Sequence, residues 1–348
     1  LMTAPIPLTL LTGFLGAGKT TLLNALLKHT DMAGTAVLIN EFGEIGLDHL
    51  LVERLDGEAV LLNAGCLCCT VRGDLMRALD GLWDRVLAGQ EVRRVVVETT
   101  GLADPAPILQ TLMTDPSLAR RFVLDGVVTL VDAVHGAGTL DAQDEAVRQA
   151  AVADRIVLSK TDLAAPEGVE ALVARLRALN PVAPIISVIS GAAEPAELLA
   201  SGPYDPAVKS PDVARWIGAS AHAHNHDHHD ADRHSPSIRA LCLEFSAPLP
   251  WDSVATWLEM LSMTRGESLL RMKGILDLIG QDRPIAVHGV QRVFHPPIRL
   301  AAWPGNEPRR SRLVFILRDL DPSAVRESLH AFLLASEQRG DAAVTRTG

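Results

Sequence analysis

Two short runs near the start of the chain carry side chains suited to chemistry. Residues 13–20 read GFLGAGKT, a Gly-x-x-x-x-Gly-Lys-Thr pattern. Gly13 and Gly18 permit backbone turns that a Cβ would strain. The amides of Gly16, Ala17, Gly18, Lys19 and Thr20 can then point inward at phosphate oxygens, helped by the N-terminus of the helix that follows. Lys19 neutralises the β- and γ-phosphates, and the Thr20 hydroxyl is a ligand for Mg²⁺. Residues 65–70 read GCLCCT, which puts Cys66, Cys68 and Cys69 in one tight turn. Three thiolates at this spacing suit Zn²⁺ or Co²⁺ and exclude Mg²⁺ and Ca²⁺. Three local ligands leave a coordination position open, through which a metal can be passed on. A redox switch and a group of buried small hydrophobes are the other readings of the same cluster.

Two further runs complete a nucleotide site. VVVETTG (95–101) brings an apolar strand up to Glu98. There a carboxylate can hold Mg²⁺ through a water, while the Gly101 amide meets the γ-phosphate. The alternative is a carboxylate that caps the next helix. RIVLSKTD (155–162) ends a strand in Ser-Lys-x-Asp. Asp162 can accept from N1 and the 2-amino group of guanine, which adenine cannot reciprocate, and the Lys160 stem can lie over the ring. Ser159 stands where Asn is usual, and its shorter side chain puts the contact to N7 in doubt. Guanine is favoured, with adenine as the alternative. Ser190, at the end of the next strand, is placed to touch the guanine carbonyl. Leu102 follows Gly101 where many GTPases carry a water-orienting glutamine, so unaided hydrolysis is expected to be slow.

A third cluster is the tract HAHNHDHHDADRH (222–234). Its His222, His224, His226, His228, His229 and His234 bind transition metals as neutral imidazoles. On an irregular segment they make weak, interchangeable sites suited to collecting metal; a solvated polar linker is the plainer reading. His288, His295 and Cys242 lie in strand-like runs and read as structural.

Positioning these residues takes a parallel sheet. Strand runs lie at 7–14, 35–40, 92–100, 124–133, 155–160 and 183–190, and several are nearly all apolar, as expected for strands covered on both faces. Helical patterns at 19–29, 73–88 and 167–180 lie between them. This rhythm predicts an α/β fold, a P-loop NTPase domain over 1–203, with its functional residues at the carboxyl ends of the strands. Residues 204–236, with Pro206, Pro211 and Pro236 and the histidine tract, read as a linker. Residues 237–348 then predict a smaller α+β domain: strand 238–245, helix 251–264, strands at 269–279, 284–300 and 311–318, and helix 322–335.

Bulk properties narrow the function further. The 348 residues carry 32 basic and 42 acidic side chains, a net charge of −10. That balance argues against broad binding to a nucleic-acid backbone. The apolar start of the chain runs directly into the glycine loop and reads as a first strand rather than a leader. No apolar run reaches the roughly 18 residues of a membrane span. The clustering of three of the four cysteines fits a reducing, cytoplasmic compartment.

The segments GFLGAGKTTLLN, NEFGEIGLD, GCLCCT, ETTGLADP, VDA and SKTD occur in that order. In them the chain resembles the CobW-like family of P-loop GTPases, metallochaperones with zinc- and cobalt-handling members. RMKGIL (271–276), VHGVQRVF (287–294) and RLVFILRDLD (312–321) resemble the C-terminal domain of that family, so the likeness covers nearly the whole chain. The resemblance implies GTP as substrate, Mg²⁺ as cofactor, and Zn²⁺, alternatively Co²⁺, as cargo for a client metalloprotein. It implies that Gly13, Gly16, Gly18, Lys19, Thr20 and Thr21 bind phosphates and that Lys19 and Glu98 serve catalysis. Thr20 and Glu98 would serve Mg²⁺. Cys66, Cys68 and Cys69 would carry the transferable metal, and Glu41, Glu44 and Asp48 would lie in a switch-like segment. A metal-sensing switch and an activator that assembles an enzyme's metal centre, including cobalt delivery for cobalamin synthesis, remain the alternatives.

Overall fold

The structure, a computed structural model, describes residues 5–40, 60–64, 71–199, 238–303 and 308–344. The chain divides into two compact units, residues 1–204 and 205–348.

The first unit is built on seven parallel strands: β1 (Ile6–Gly13), β2 (Thr35–Asn40), β3 (Val60–Ala64), β4 (Arg94–Glu98), β5 (Phe122–Asp132), β6 (Arg155–Ser159) and β7 (Ile185–Val188). Their order across the sheet is β3-β2-β4-β1-β5-β6-β7. Around it lie α1 (Lys19–Leu27), α2 (Val71–Leu87), α3 (Ala106–Thr114), α4 (Pro116–Arg121), α5 (Gly136–Ala142), α6 (Asp144–Val152), α7 (Pro166–Leu179) and the single turn α8 (Pro195–Leu198). Strand β6 shows why its middle, Ile156 to Leu158, is apolar. Val157 packs with Leu22, Leu23 and Leu26 of α1. Ile156 and Leu158 face the other way, onto Ala146 and Ala150 of α6 and Leu172 and Leu176 of α7. Each such side chain contributes roughly 1.5–3 kcal/mol by burial, and an alternating polar pattern would forfeit half of it.

Register brings the strand ends together. Leu11 of β1 pairs with Glu98 of β4, Gly13 with Leu130 of β5, and Asp132 of β5 with Ser159 of β6. The connection from β1 runs to β2 on one side of it, and that from β4 crosses to β5 on the other. This is the switch point at which open α/β sheets hold their ligands.

The second unit contains a six-stranded antiparallel sheet: β8 (Ile238–Phe245), β9 (Leu269–Leu276), β10 (Ile285–Val290), β11 (Val293–Phe294), β12 (Ile298–Arg299) and β13 (Ser311–Arg318). Helices α9 (Trp251–Arg265) and α10 (Pro322–Val344) bury their apolar residues against one face. Trp257 packs edge-on to Phe315 with ring centroids 5.8 Å apart, and its Nε1 donates to Ser328 Oγ at 3.0 Å. On β10, His288 is buried and stacks on His295, with centroids 4.6 Å apart; burial pushes both imidazoles below their ordinary value. Cys242 is half-buried on β8, its thiol raised to about 11 by desolvation and by Glu244.

The segment expected as one strand over 284–300 is three. Gln291 turns the chain at a φ of 52°, and Pro296 and Pro297 interrupt the pairing between β11 and β12. The last helix runs nine residues past its expected end, to Val344, because no proline or glycine pair stops it. Strand β3, on the edge of the first sheet, and helices α3 to α6 were not among the expected elements.

Candidate functional site

The carboxyl ends of β1 and β4 open into a cleft of about 500 Å³ lined by Leu15, Gly16, Gly18, Lys19, Thr20, Thr21, Glu98, Thr99, Thr100, Gly101, Leu102 and Lys160. The loop between β1 and α1 has the conformation its glycines allow: Gly13, Gly16 and Gly18 have φ of 141°, 75° and 94°. At Gly13 a Cβ would fall 2.5 Å from the Leu130 carbonyl oxygen, so the residue is fixed by packing as well as by φ. Gly18 caps α1, whose first turn holds no acidic side chain and no side-chain cap. Its first amides, and the positive end of its dipole, are therefore directed to the cleft, where they suit an anion.

Lys19 is 9% exposed, and its Nζ donates to the carbonyls of Gly13 (2.8 Å) and Phe14 (3.3 Å). The ammonium is thus held across its own loop. Thr20 Oγ1 donates to Glu98 Oε1 at 3.3 Å, joining the start of α1 to the end of β4. Hydroxyl and carboxylate side by side form an all-oxygen donor set of the kind Mg²⁺ takes, and a buried carboxylate beside an anion site suits a cation. Thr99 Oγ1 donates to Thr12 Oγ1 at 2.8 Å, which clamps β4 to β1 beneath them.

Gly101 lies directly against the loop, since a Cβ there would sit 2.5 Å from the Leu15 nitrogen. The turn it begins is anchored from behind by α6. Gln149, fully buried, donates through Nε2 to the carbonyls of Gly101 (3.1 Å) and Ala103 (3.0 Å), and Arg148 Nη1 reaches Asp104 Oδ2 at 3.2 Å.

On the other side of the loop, Ser159 is buried and its Oγ donates to the Ala17 carbonyl at 2.7 Å. Lys160 adopts a φ of 57° and spans from Gly16 O (2.9 Å) to Asp132 Oδ2 (2.6 Å). Burial pushes the Asp132 carboxyl up. The hydrogen bonds from Lys160 and from the amides of Val134 and His135, with the Lys160 charge, outweigh it and hold the group below its ordinary value. Asp162 and Ser190 are exposed and do not line the cleft. Ser190 has a φ of 52° and is followed by Gly191, which packs on the Thr21 carbonyl so closely that a Cβ would lie 2.8 Å away.

The structure therefore brings Gly16, Gly18, Lys19, Thr20, Thr21, Glu98, Gly101 and Lys160 together around one cleft, with Gly13, Ala17 and Ser159 supporting it. Cys66, Cys68, Cys69, Glu41, Glu44, Asp48, His222, His224, His226, His228, His229 and His234 lie outside the described residues. Among the described residues no group of three or more His, Cys, Asp or Glu is placed to hold a metal ion. Sequence reading missed Asp132 and Gln149. Asp132 had a signal, as the carboxylate ending a long apolar run; Gln149 had none, because its role depends on where α6 packs.

A glycine loop between a central parallel strand and a helix, with lysine, threonine and a neighbouring strand-end carboxylate, defines a P-loop nucleotide-binding protein. Residues 7–187 match the CobW/HypB/UreG nucleotide-binding domain, and residues 238–333 match the cobalamin synthesis protein cobW C-terminal domain. The chain belongs to the CobW/HypB/UreG family. It is 35% identical over 329 residues to the zinc chaperone YjiA of Escherichia coli (strain K12), covering 92% of this chain and 97% of that protein. It is 29% identical over 367 residues to the zinc chaperone CobW of Pseudomonas aeruginosa, covering 95% and 92%. The crystal structure of Zn(II)-bound YjiA GTPase from E. coli superposes with a TM-score of 0.70 at 31% identity, covering 95% of this chain and 99% of that one. Among the described residues no helix is long and apolar enough to cross a membrane.

Proposed function

We propose that this protein is a GTP-hydrolysing metallochaperone that takes up zinc at its Cys66, Cys68 and Cys69 motif and gives it to a client metalloprotein. The observation that carries the nucleotide half is the Thr20–Glu98 contact of 3.3 Å at the mouth of a glycine loop that already holds Lys19. The metal half is supported by the three cysteines and by relatives named zinc chaperones over most of their length.

The residues divide the work. The amides of Gly16 to Thr20 and the Lys19 ammonium hold the phosphates. Thr20 and Glu98 would hold Mg²⁺, which when bound draws charge from the β- and γ-phosphates. The Gly101 amide, fixed against Leu15, lies where it meets the γ-phosphate. Asp162 reads the guanine edge, and Ser190 stands by the base. Leu102, 51% exposed on the cleft rim, cannot orient water, so turnover is slow until metal or a partner raises it. Residues 41–48 and 65–70 lie in chain order between α1 and β4, both of which line the cleft, and this supports a coupling of metal affinity to the γ-phosphate. The histidine tract collects metal for that cysteine motif.

A second reading, activation of one enzyme by assembly of its metal centre, is favoured by a partial relative. The chain is 38% identical over 194 residues to the zinc-regulated GTPase metalloprotein activator 1 of Schizosaccharomyces pombe and spans 46% of it. Cobalt is the alternative cargo. GTP turnover by the wild type and by Lys19→Ala tests the nucleotide half. Loss of a buried charged donor is worth about 3 kcal/mol, and turnover at subsaturating GTP is expected to fall at least about a hundredfold. Unchanged turnover would remove the assignment.

A further inference from the structure

We infer that Ser159 does not read the base. It is a strut for the phosphate loop, and guanine is chosen without a contact from this residue to N7. The inference rests on the guanine reading above and goes beyond it by assigning how the selectivity is divided.

A serine hydroxyl has one hydrogen, whereas an asparagine amide has two. In this structure the single Ser159 hydrogen is committed. Its Oγ lies 2.7 Å from the Ala17 carbonyl oxygen, with Val131 O the next acceptor at 3.4 Å. The residue is 6% exposed. Guanine N7 is an acceptor and can be met only by a donor. An asparagine could donate one N–H to the loop and the other to N7; a serine must choose, and this one is turned to the loop. The surroundings hold it there. Ser159 ends β6 and pairs with Asp132 of β5, which fixes its backbone beside the loop. The next residue makes a parallel tie: Lys160 Nζ donates to Gly16 O at 2.9 Å. Two successive residues thus hold two carbonyls of the same loop, and both contacts are indifferent to the base. Discrimination of guanine then falls on its Watson–Crick edge, the task of the exposed Asp162, three residues after Ser159.

Calorimetric titration with Mg²⁺ and GTP, 7-deaza-GTP (which lacks the N7 acceptor) or ATP tests this on the full chain. GTP and 7-deaza-GTP are expected to bind within about twofold of one another, and both at least about tenfold more tightly than ATP. Ser159→Ala is expected to weaken GTP and 7-deaza-GTP by the same factor, about five- to tenfold, the worth of one buried hydrogen bond. A tenfold penalty for 7-deaza-GTP in the wild type would overturn the inference. So would a Ser159→Ala protein that loses GTP affinity and keeps that for 7-deaza-GTP. If GTP binds no better than ATP, the guanine reading itself fails, whatever 7-deaza-GTP does.

Discussion

Asp132, behind the nucleotide cleft, and Gly101, on its wall, show how single residues set its shape. Asp132 steers the Lys160 ammonium at 2.6 Å while that lysine also holds Gly16. Its carboxyl is lowered from the ordinary 3.8 in the folded protein. The stabilisation it gives is therefore complete above that unfolded value and is lost as pH falls through the lower folded one. Asp132→Asn is expected to remove this acid-side dependence, read from thermal melts between about pH 3 and 6. It should also weaken nucleotide binding about three- to fivefold, as a half-exposed ion pair is worth up to about 1 kcal/mol. A melt series that keeps the same acid-side slope would contradict the pairing. At Gly101 the constraint is steric. A methyl group would meet the Leu15 nitrogen at 2.5 Å, so Gly101→Ala must push the turn off the loop. GTP analogue affinity is expected to drop at least about tenfold with the fold retained, a cost of about 1.4 kcal/mol measurable by titration. Retained affinity would show that the turn is not needed for phosphate binding.

At the scale of elements, α6 holds the turn after β4 in place through Gln149 and Arg148. Gln149→Leu keeps the volume and leaves the carbonyls of Gly101 and Ala103 without their buried donor. Destabilisation of about 1–3 kcal/mol is expected by urea denaturation, together with slower GTP turnover. Lost stability with unchanged turnover would confine α6 to a packing role. The same helix is tied to α7 by Asn180, whose Nδ2 donates to the carbonyls of Ala150, Ala151 and Ala153 and whose Oδ1 accepts from the Ala183 amide. Elements with one dominant signal were legible in the sequence. β1, β5 and β6 are predominantly apolar runs, α1 and α7 carry helical periodicity, and the glycine loop announces itself by its residue types. Elements whose identity depends on neighbours were not legible. β3 is a five-residue edge strand with Asn63 in it, and α3 to α6 are short segments stabilised by the sheet they cover. The meeting of Lys19, Thr20 and Glu98 at one cleft could be anticipated from the glycine-loop pattern and the strand-end carboxylate. The Ser159 strut and the Gln149 anchor could not, since each depends on a carbonyl brought near by tertiary packing.

At the scale of the whole molecule, the proposed function requires that the nucleotide cleft be coupled to the Cys66, Cys68 and Cys69 motif. A nucleotide can shift metal affinity only by the difference in its binding to the metal-holding and metal-free forms. The measurement that tests this most directly is Zn²⁺ affinity by chelator competition, with Mg²⁺–GTP analogue and with Mg²⁺–GDP. A second protein lacking residues 222–234 keeps weak histidine sites from hiding the tight one. The account predicts at least about tenfold tighter zinc binding in the GTP state, a coupling of about 1.4 kcal/mol or more, abolished by Cys68→Ala. Equal zinc affinity in the two nucleotide states would contradict it.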